Sequence, residues 1–185
     1  MLKGIIIGVA AAVLAGIAGA YLFLALGLMP ANADAKPSFL EKWAARKSLH
    51  ATLAREAQTG TGPLAVNDES LLAGLRLYAA NCAVCHGAAD GKASNIALGL
   101  FQRPPQLGKH GVEDDPEGEI HWKIKHGIRL TGMPAYTSTL NDNEIWQTTL
   151  FLKHMDALSI KAEAAWKAMP SAATPVPAPA KPAKK

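Results

Sequence analysis

The only two cysteines of this 185-residue chain stand three positions apart and are followed at once by a histidine, in Cys82-Ala83-Val84-Cys85-His86-Gly87. Two residues between thiols close a very small loop, so a structural disulfide there would remove little entropy from the unfolded chain. A redox dithiol of the thioredoxin kind needs a strand entering a βαβ unit. Here the preceding Leu71, Leu72, Leu75, Tyr78 and Ala79 carry helical spacing instead. Zinc would recruit His121 and His126, but 35 residues separate Cys85 from His121, far beyond the usual finger spacing. Histidines five apart also lie roughly 140° apart around a helix rather than on one face.

The spacing that remains is the attachment signature for covalent haem. Two cysteines one short turn apart can each form a thioether with one of the two vinyl groups on a porphyrin edge, which forces the adjacent histidine under the iron. The motif therefore predicts one haem c, bonded to Cys82 and Cys85, with His86 as an axial iron ligand. A further cysteine would risk mispairing in an oxidising compartment. Attachment of this kind is completed outside the cytoplasm, so the chain is expected to be exported.

Export has a visible device. Ile5 to Met29 contains no charged side chain, and at 1.5 Å per residue a helix of that length spans roughly 37 Å, more than the roughly 30 Å hydrocarbon core. Ala31-Asn32-Ala33 has the small-x-small pattern of a signal cleavage site, but the apolar run exceeds a signal-peptide core of about 7 to 15 residues. Residues 1–30 are read as a transmembrane anchor, or an uncleaved signal, with Lys3 on the inner side. The expected location is the inner membrane, single-pass, with the haem domain in the periplasm.

The overall charge of +4 divides unevenly. Residues 66–158 hold eight Lys or Arg against eleven Asp or Glu, so the basic excess belongs to the flanks. Nucleic-acid binding would need a basic folded face; an acidic one suits redox partner proteins with a basic docking surface.

Residues 31–65 read as a connector with one amphipathic helix. Ser38 and Glu41 form a capping box; Phe39, Leu40, Trp43, Leu49 and Leu53 mark an apolar side, with Lys42, Arg46 and Lys47 elsewhere. That helix either packs on the domain or lies on the membrane surface. Residues 66–158 read as the folded, haem-bearing domain. They hold a helix starting at Asn67, a second with Asp115 as cap and Pro116 in its first turn, and a third capped by Asn141 with Glu144. No strand pattern appears, so the fold class is all-α. Residues 159–185, rich in Ala, Lys and Pro, are expected to be disordered.

From about Asp68 to Met155 the chain resembles the bacterial class I mono-haem cytochromes c. The resemblance rests on Gly74 and Tyr78, the Cys82 to Gly87 motif, Pro104-Pro105-Gln106-Leu107, Gly132-Met133-Pro134-Ala135-Tyr136 and an aromatic last helix. It implies three main helices wrapped round one covalent haem, behind the N-terminal transmembrane helix. It places the second iron ligand on Met133 and gives the His86 ring N–H to the carbonyl of Pro104 or Pro105, with Pro105 preferred; Gln106 stands where the family usually has an acid.

Among the five methionines, Met133 alone sits in a loop between Gly132 and Pro134; His110 is the best rival ligand. Gly74 should let the first and last helices of the domain approach, with Tyr78 meeting Phe151 or Trp146. Leu98, Leu100, Leu107, Trp122, Ile124, Ile128 and Leu140 suit a haem pocket, although ordinary core positions explain them equally. Two axial ligands leave no coordination site for a small-molecule substrate. The implied role is one-electron transfer, as a membrane-tethered carrier or a cytochrome subunit of a respiratory or dehydrogenase complex, and not catalysis. The alternative is a haem sensor, small-ligand-binding protein or peroxidase with an open iron.

Overall fold

The computed structural model describes residues 1–173, and among them finds eight helices and no strand. Two compact units result, Met1–Ala35 and a second beginning at Lys36. The first is built on α1 (Leu2–Ala25), with a mean hydropathy of 2.3 over an 18-residue window and no buried residue. Its 24 residues are enough, by length and composition, to cross a bilayer once.

In the second unit α3 (Asp68–Asn81), α6 (Glu117–His126) and α7 (Asp142–Lys153) carry most of the packing, and α2 (Phe39–Glu56) touches α6 more lightly. The short α4 (Ala83–His86) and α5 (Asn95–Gly99) lie between α3 and α6, and α8 (Ile160–Lys167) follows α7. The starts of α2, α3 and α7 form as their sequences direct. Ser38 and Glu41 close one capping box and Asn141 and Glu144 another, while Asn67 accepts from Ser70 N–H at 2.9 Å. The start of α6 falls one residue later than expected. Pro116 is the cap, its carbonyl accepting from Glu119 and Ile120, because the Asp115 carboxylate is drawn instead to Lys123 Nζ at 2.6 Å.

α3 and α7 cross in contact at Gly74. A methyl group there would collide with the Gln147 carbonyl and stand 2.8 Å from Phe151 Cβ. The close approach brings Tyr78 and Phe151 to 5.5 Å between ring centroids, both fully buried. The third ring of that cluster is Trp166, at 5.6 Å from each. This corrects the expectation of a disordered segment from residue 159. Ser159 caps α8, and Ala162 and Trp166 are buried against α3 and α7. One large aromatic at the right spacing supplies the burial that the Ala- and Lys-rich composition concealed. Residues 174–185 of that expected tail lie outside the described residues.

Trp146, the other ring proposed for Tyr78, faces away and stacks on His121 at 4.0 Å and 19°. It does so because the segment read as a connector is part of the fold from α2 onward. Leu53 is 3% exposed; the Gln58 carbonyl rests on Gly118, where any side chain would clash. Gly62 N–H donates to Glu117 Oε2 at 2.5 Å beneath the Trp146 ring. The apolar side of α2 therefore splits: Leu49 and Leu53 turn inward, whereas Phe39, Leu40 and Trp43 are exposed, Phe39 at 83% and Trp43 at 56%.

Three outcomes follow from this packing. Trp166→Ala should cost about 3 kcal/mol of unfolding free energy in denaturant melts, a core-aromatic deletion rather than the near-zero effect of a change in a tail. Gly74→Ala should cost about 2 kcal/mol or more, because backbone rather than a flexible side chain stands in the way. Burial, and secondarily the Lys125 cation, hold the His121 imidazole below its ordinary range, while Asp142 acts against them. The neutral ring is the form the fold prefers, so its stabilisation is complete above about pH 6.5 and is lost as pH falls further. His121→Gln should flatten the acid-side decline of thermal melts relative to the unsubstituted protein.

Candidate functional site

α4 is a single turn, so the carbonyls at its end have no partners within the helix. Each is met by a different residue. Val84 O accepts from Ser94 Oγ at 2.5 Å, Cys85 O from Gln106 Nε2 at 2.9 Å, His86 O from Leu107 N at 3.0 Å and Gly87 O from Tyr78 Oη at 2.7 Å. Ser94 also caps α5. Three stretches of chain thus converge to fix the turn that carries both thiols and the imidazole. Gln106 explains its departure from the family's acidic residue here: two amide hydrogens are given to the Cys85 and Pro104 carbonyls, which a carboxylate cannot do.

His86 Nδ1 lies 3.0 Å from the Pro105 carbonyl. A carbonyl only accepts, so the proton is on Nδ1 and Nε2 keeps its lone pair. Burial holds the ring below its ordinary pKa, opposed by the Pro105 bond, and so favours the neutral form that can ligate a metal. The Cys82 thiol is pushed up to about 12, first by burial and then by Cys85, and no disulfide joins the two sulfurs. A thiol held neutral in this way is a poor redox nucleophile.

Met133 reaches the same place from the loop after α6. Ile128 N–H donates to the Met133 carbonyl at 3.2 Å and Met133 N–H to Thr131 Oγ1 at 3.1 Å. Gly127, at φ +65°, turns the chain where a Cβ would strike the Met133-Pro134 backbone. The far end of the loop is tied down by Tyr136, whose hydroxyl donates to Asn81 O at 2.8 Å.

Cys82, Cys85, His86, Pro105 and Met133 all border one cavity of about 380 Å³ with mostly apolar walls. Leu100, Leu107, Ile124 and Ile128 line it as expected; Leu98, Trp122 and Leu140 do not, and Trp122 packs beside His126 instead. His110 is exposed and takes no part. Ile120, Leu152 and Leu49 line it too. The first two could have been read from helical spacing in α6 and α7. Leu49 could not, because it arrives from α2 across the Gly60 to Pro63 stretch. Among the described residues no group of three His, Cys, Asp or Glu side chains is gathered to hold a bare metal ion. The donor set fits a planar apolar ring held by two thioethers, with a nitrogen and a sulfur to offer its metal.

Residues 69–152, under half of the chain, match the family model described as cytochrome c oxidase, cbb3-type, subunit III. A search of curated proteins finds no match. The matched stretch runs from the first turn of α3 to the last turn of α7 and so takes in the α4 turn, the Met133 loop and every cavity-lining residue but Leu49. Over these residues the chain is similar to c-type cytochromes, and a domain of this kind supports electron transfer by way of haem c.

Proposed function

We propose that this chain is a membrane-tethered one-electron carrier, or the cytochrome subunit of a respiratory or dehydrogenase complex. A single haem c would be bonded to Cys82 and Cys85 and ligated by His86 Nε2 and Met133 Sδ. The observation that carries the reading is the convergence of these four side chains, from two distant segments, on one apolar cavity. When bound, the haem supplies a one-electron iron couple. The chain's own residues do the rest. The Pro105 carbonyl fixes the imidazole plane and tautomer, a second-sphere contact that also raises ligand basicity. The Thr131 and Tyr136 contacts hold the methionine in place. Ile120, Ile124 and Leu107 keep water out, which disfavours extra positive charge and, with a thioether ligand, raises the potential.

The tether is α1, with the domain on the periplasmic side of the inner membrane and the function confined to partners within reach. The boundaries proposed are an anchor over 1–30, a link that merges into the fold within α2, and a haem domain over 66–158 extended by α8. Val84, Ile96 and Leu98 are exposed on α4 and α5, two helices in contact beside the thiols. They provide the small apolar patch that a brief redox encounter uses. The acidic balance of residues 66–158 suits a partner with a basic docking surface, and such association should slow as salt rises. Nothing in this ligand set calls for a small-molecule substrate or nucleic acid.

Met133→Ala in the haem-loaded protein should abolish the weak red sulfur-to-iron absorption band of the ferric form and let the ferrous form bind carbon monoxide. An unchanged spectrum with no carbon monoxide binding would remove Met133 as ligand. Ready carbon monoxide binding by the unsubstituted protein would favour an open-iron sensor or peroxidase instead.

A further inference from the structure

The first half of α2 holds a surface that the electron-transfer role leaves unused. Phe39, Lys42, Trp43, Arg46, Lys47 and His50 line one shallow groove. Members recur at offsets of three and four residues from one another, so they occupy one side of the helix. Leu49 and Leu53, which pack inward, occupy the neighbouring side. Two aromatic rings thus stand in solvent beside three permanent cations. Among the described residues, none of Lys42, Arg46 and Lys47 is in a salt bridge. Glu41, the one acid nearby, is committed to the Ser38 cap.

Exposed aromatics with flanking long cations on one helical face suit the boundary between headgroups and acyl chains. There the rings sink, while the lysine and arginine heads stay with phosphate. The chain keeps this face close to a bilayer. Only thirteen residues separate the end of α1 at Ala25 from the start of α2 at Phe39, a reach of roughly 45 Å even fully extended. A basic face fits an anionic partner.

We infer that the exposed face of α2, from Phe39 to His50, is a lipid-binding foot that docks on the anionic phospholipid headgroups of the bilayer crossed by α1. It thereby limits the orientations of the haem domain toward membrane-bound redox partners. The second half of α2 transmits that constraint, since Leu53 and Leu49 anchor it to the domain and Leu49 lines the haem cavity itself. The inference rests on α1 being the membrane anchor.

The test uses the full haem-loaded chain in nanodiscs at one chain per disc, with an environment-sensitive fluorophore on Trp43→Cys and, separately, on Ser48→Cys at the opposite side of α2. In phosphatidylcholine discs containing phosphatidylglycerol, the label at 43 should shift to blue emission while that at 48 stays aqueous. The blue shift should be lost in pure phosphatidylcholine at high salt and in a Lys42→Glu, Arg46→Glu, Lys47→Glu variant whose haem spectrum is unchanged. An aqueous label at 43 in anionic discs overturns the foot. So does a blue shift that ignores the triple substitution, or one that appears only with several chains per disc, which marks a second copy as the occupant. A chain that never enters discs overturns the anchor instead, and a second labelled thiol on Cys82 or Cys85 reports failure of haem attachment.

Discussion

Everything in the haem domain is arranged around the unpaired carbonyls of a single helical turn. A turn as short as α4 cannot satisfy its own C-terminal end, and buried unpaired carbonyls are costly. The remedy recruits Tyr78 from α3, Ser94 from the start of α5, and Gln106 and the Leu107 amide from the proline segment. One local deficit therefore ties distant parts of the chain to Cys82, Cys85 and His86, the residues proposed to hold the haem. The Pro105 carbonyl, held within the same stretch, in turn settles which imidazole nitrogen is available. Structure and chemistry share one set of hydrogen bonds.

The rest of the fold supplies two rigid walls and one adjustable one. α3 and α7 meet at Gly74 and are locked by the Tyr78, Phe151 and Trp166 rings, so the side that carries the α4 turn has little freedom. The Met133 loop is held by fewer and more exposed contacts. Its Leu130 sits at φ 61° and is 91% exposed. Met133, the proposed thioether ligand, therefore stands on the less tightly held part of the site, the kind of segment from which local opening draws. Lys153 steadies the loop before α6 by donating to the Glu113 and Asp115 carbonyls, the latter at 3.0 Å. That contact links the end of α7 to the cavity wall.

Legibility from sequence followed the range of the interaction. The capping boxes at Ser38 and Asn141 are contained within four residues and form as read. The apolar span of α1 needs nothing but composition. The spacing of Cys82, Cys85 and His86 carries its reading in the sequence itself, and the structure brings the three to one cavity. What escaped was set by tertiary contact. Trp166 turns a biased, Ala-rich stretch into a packed helix by finding two other rings. Trp146 leaves Tyr78 for His121 because residues 58–62 cover it. Leu49 reaches the cavity from a helix whose apolar residues, projected on one wheel, gave no hint that they would divide between core and solvent. Gln106 looked like a departure from pattern until its two donors were seen to serve two carbonyls. In each case a single residue found a partner that no window of neighbouring sequence contains.

The central claim is covalent: the two sulfurs of the α4 turn hold the porphyrin, and the rest of the site is built to present it. Denaturing mass spectrometry of the protein purified from membranes tests this most directly, with tandem fragmentation across the Cys82 to His86 peptide. The account expects the mass of the chain plus one haem, retained through denaturation and localised to Cys82 and Cys85. A chain that sheds its haem on unfolding, or carries the added mass on any other peptide, would contradict it.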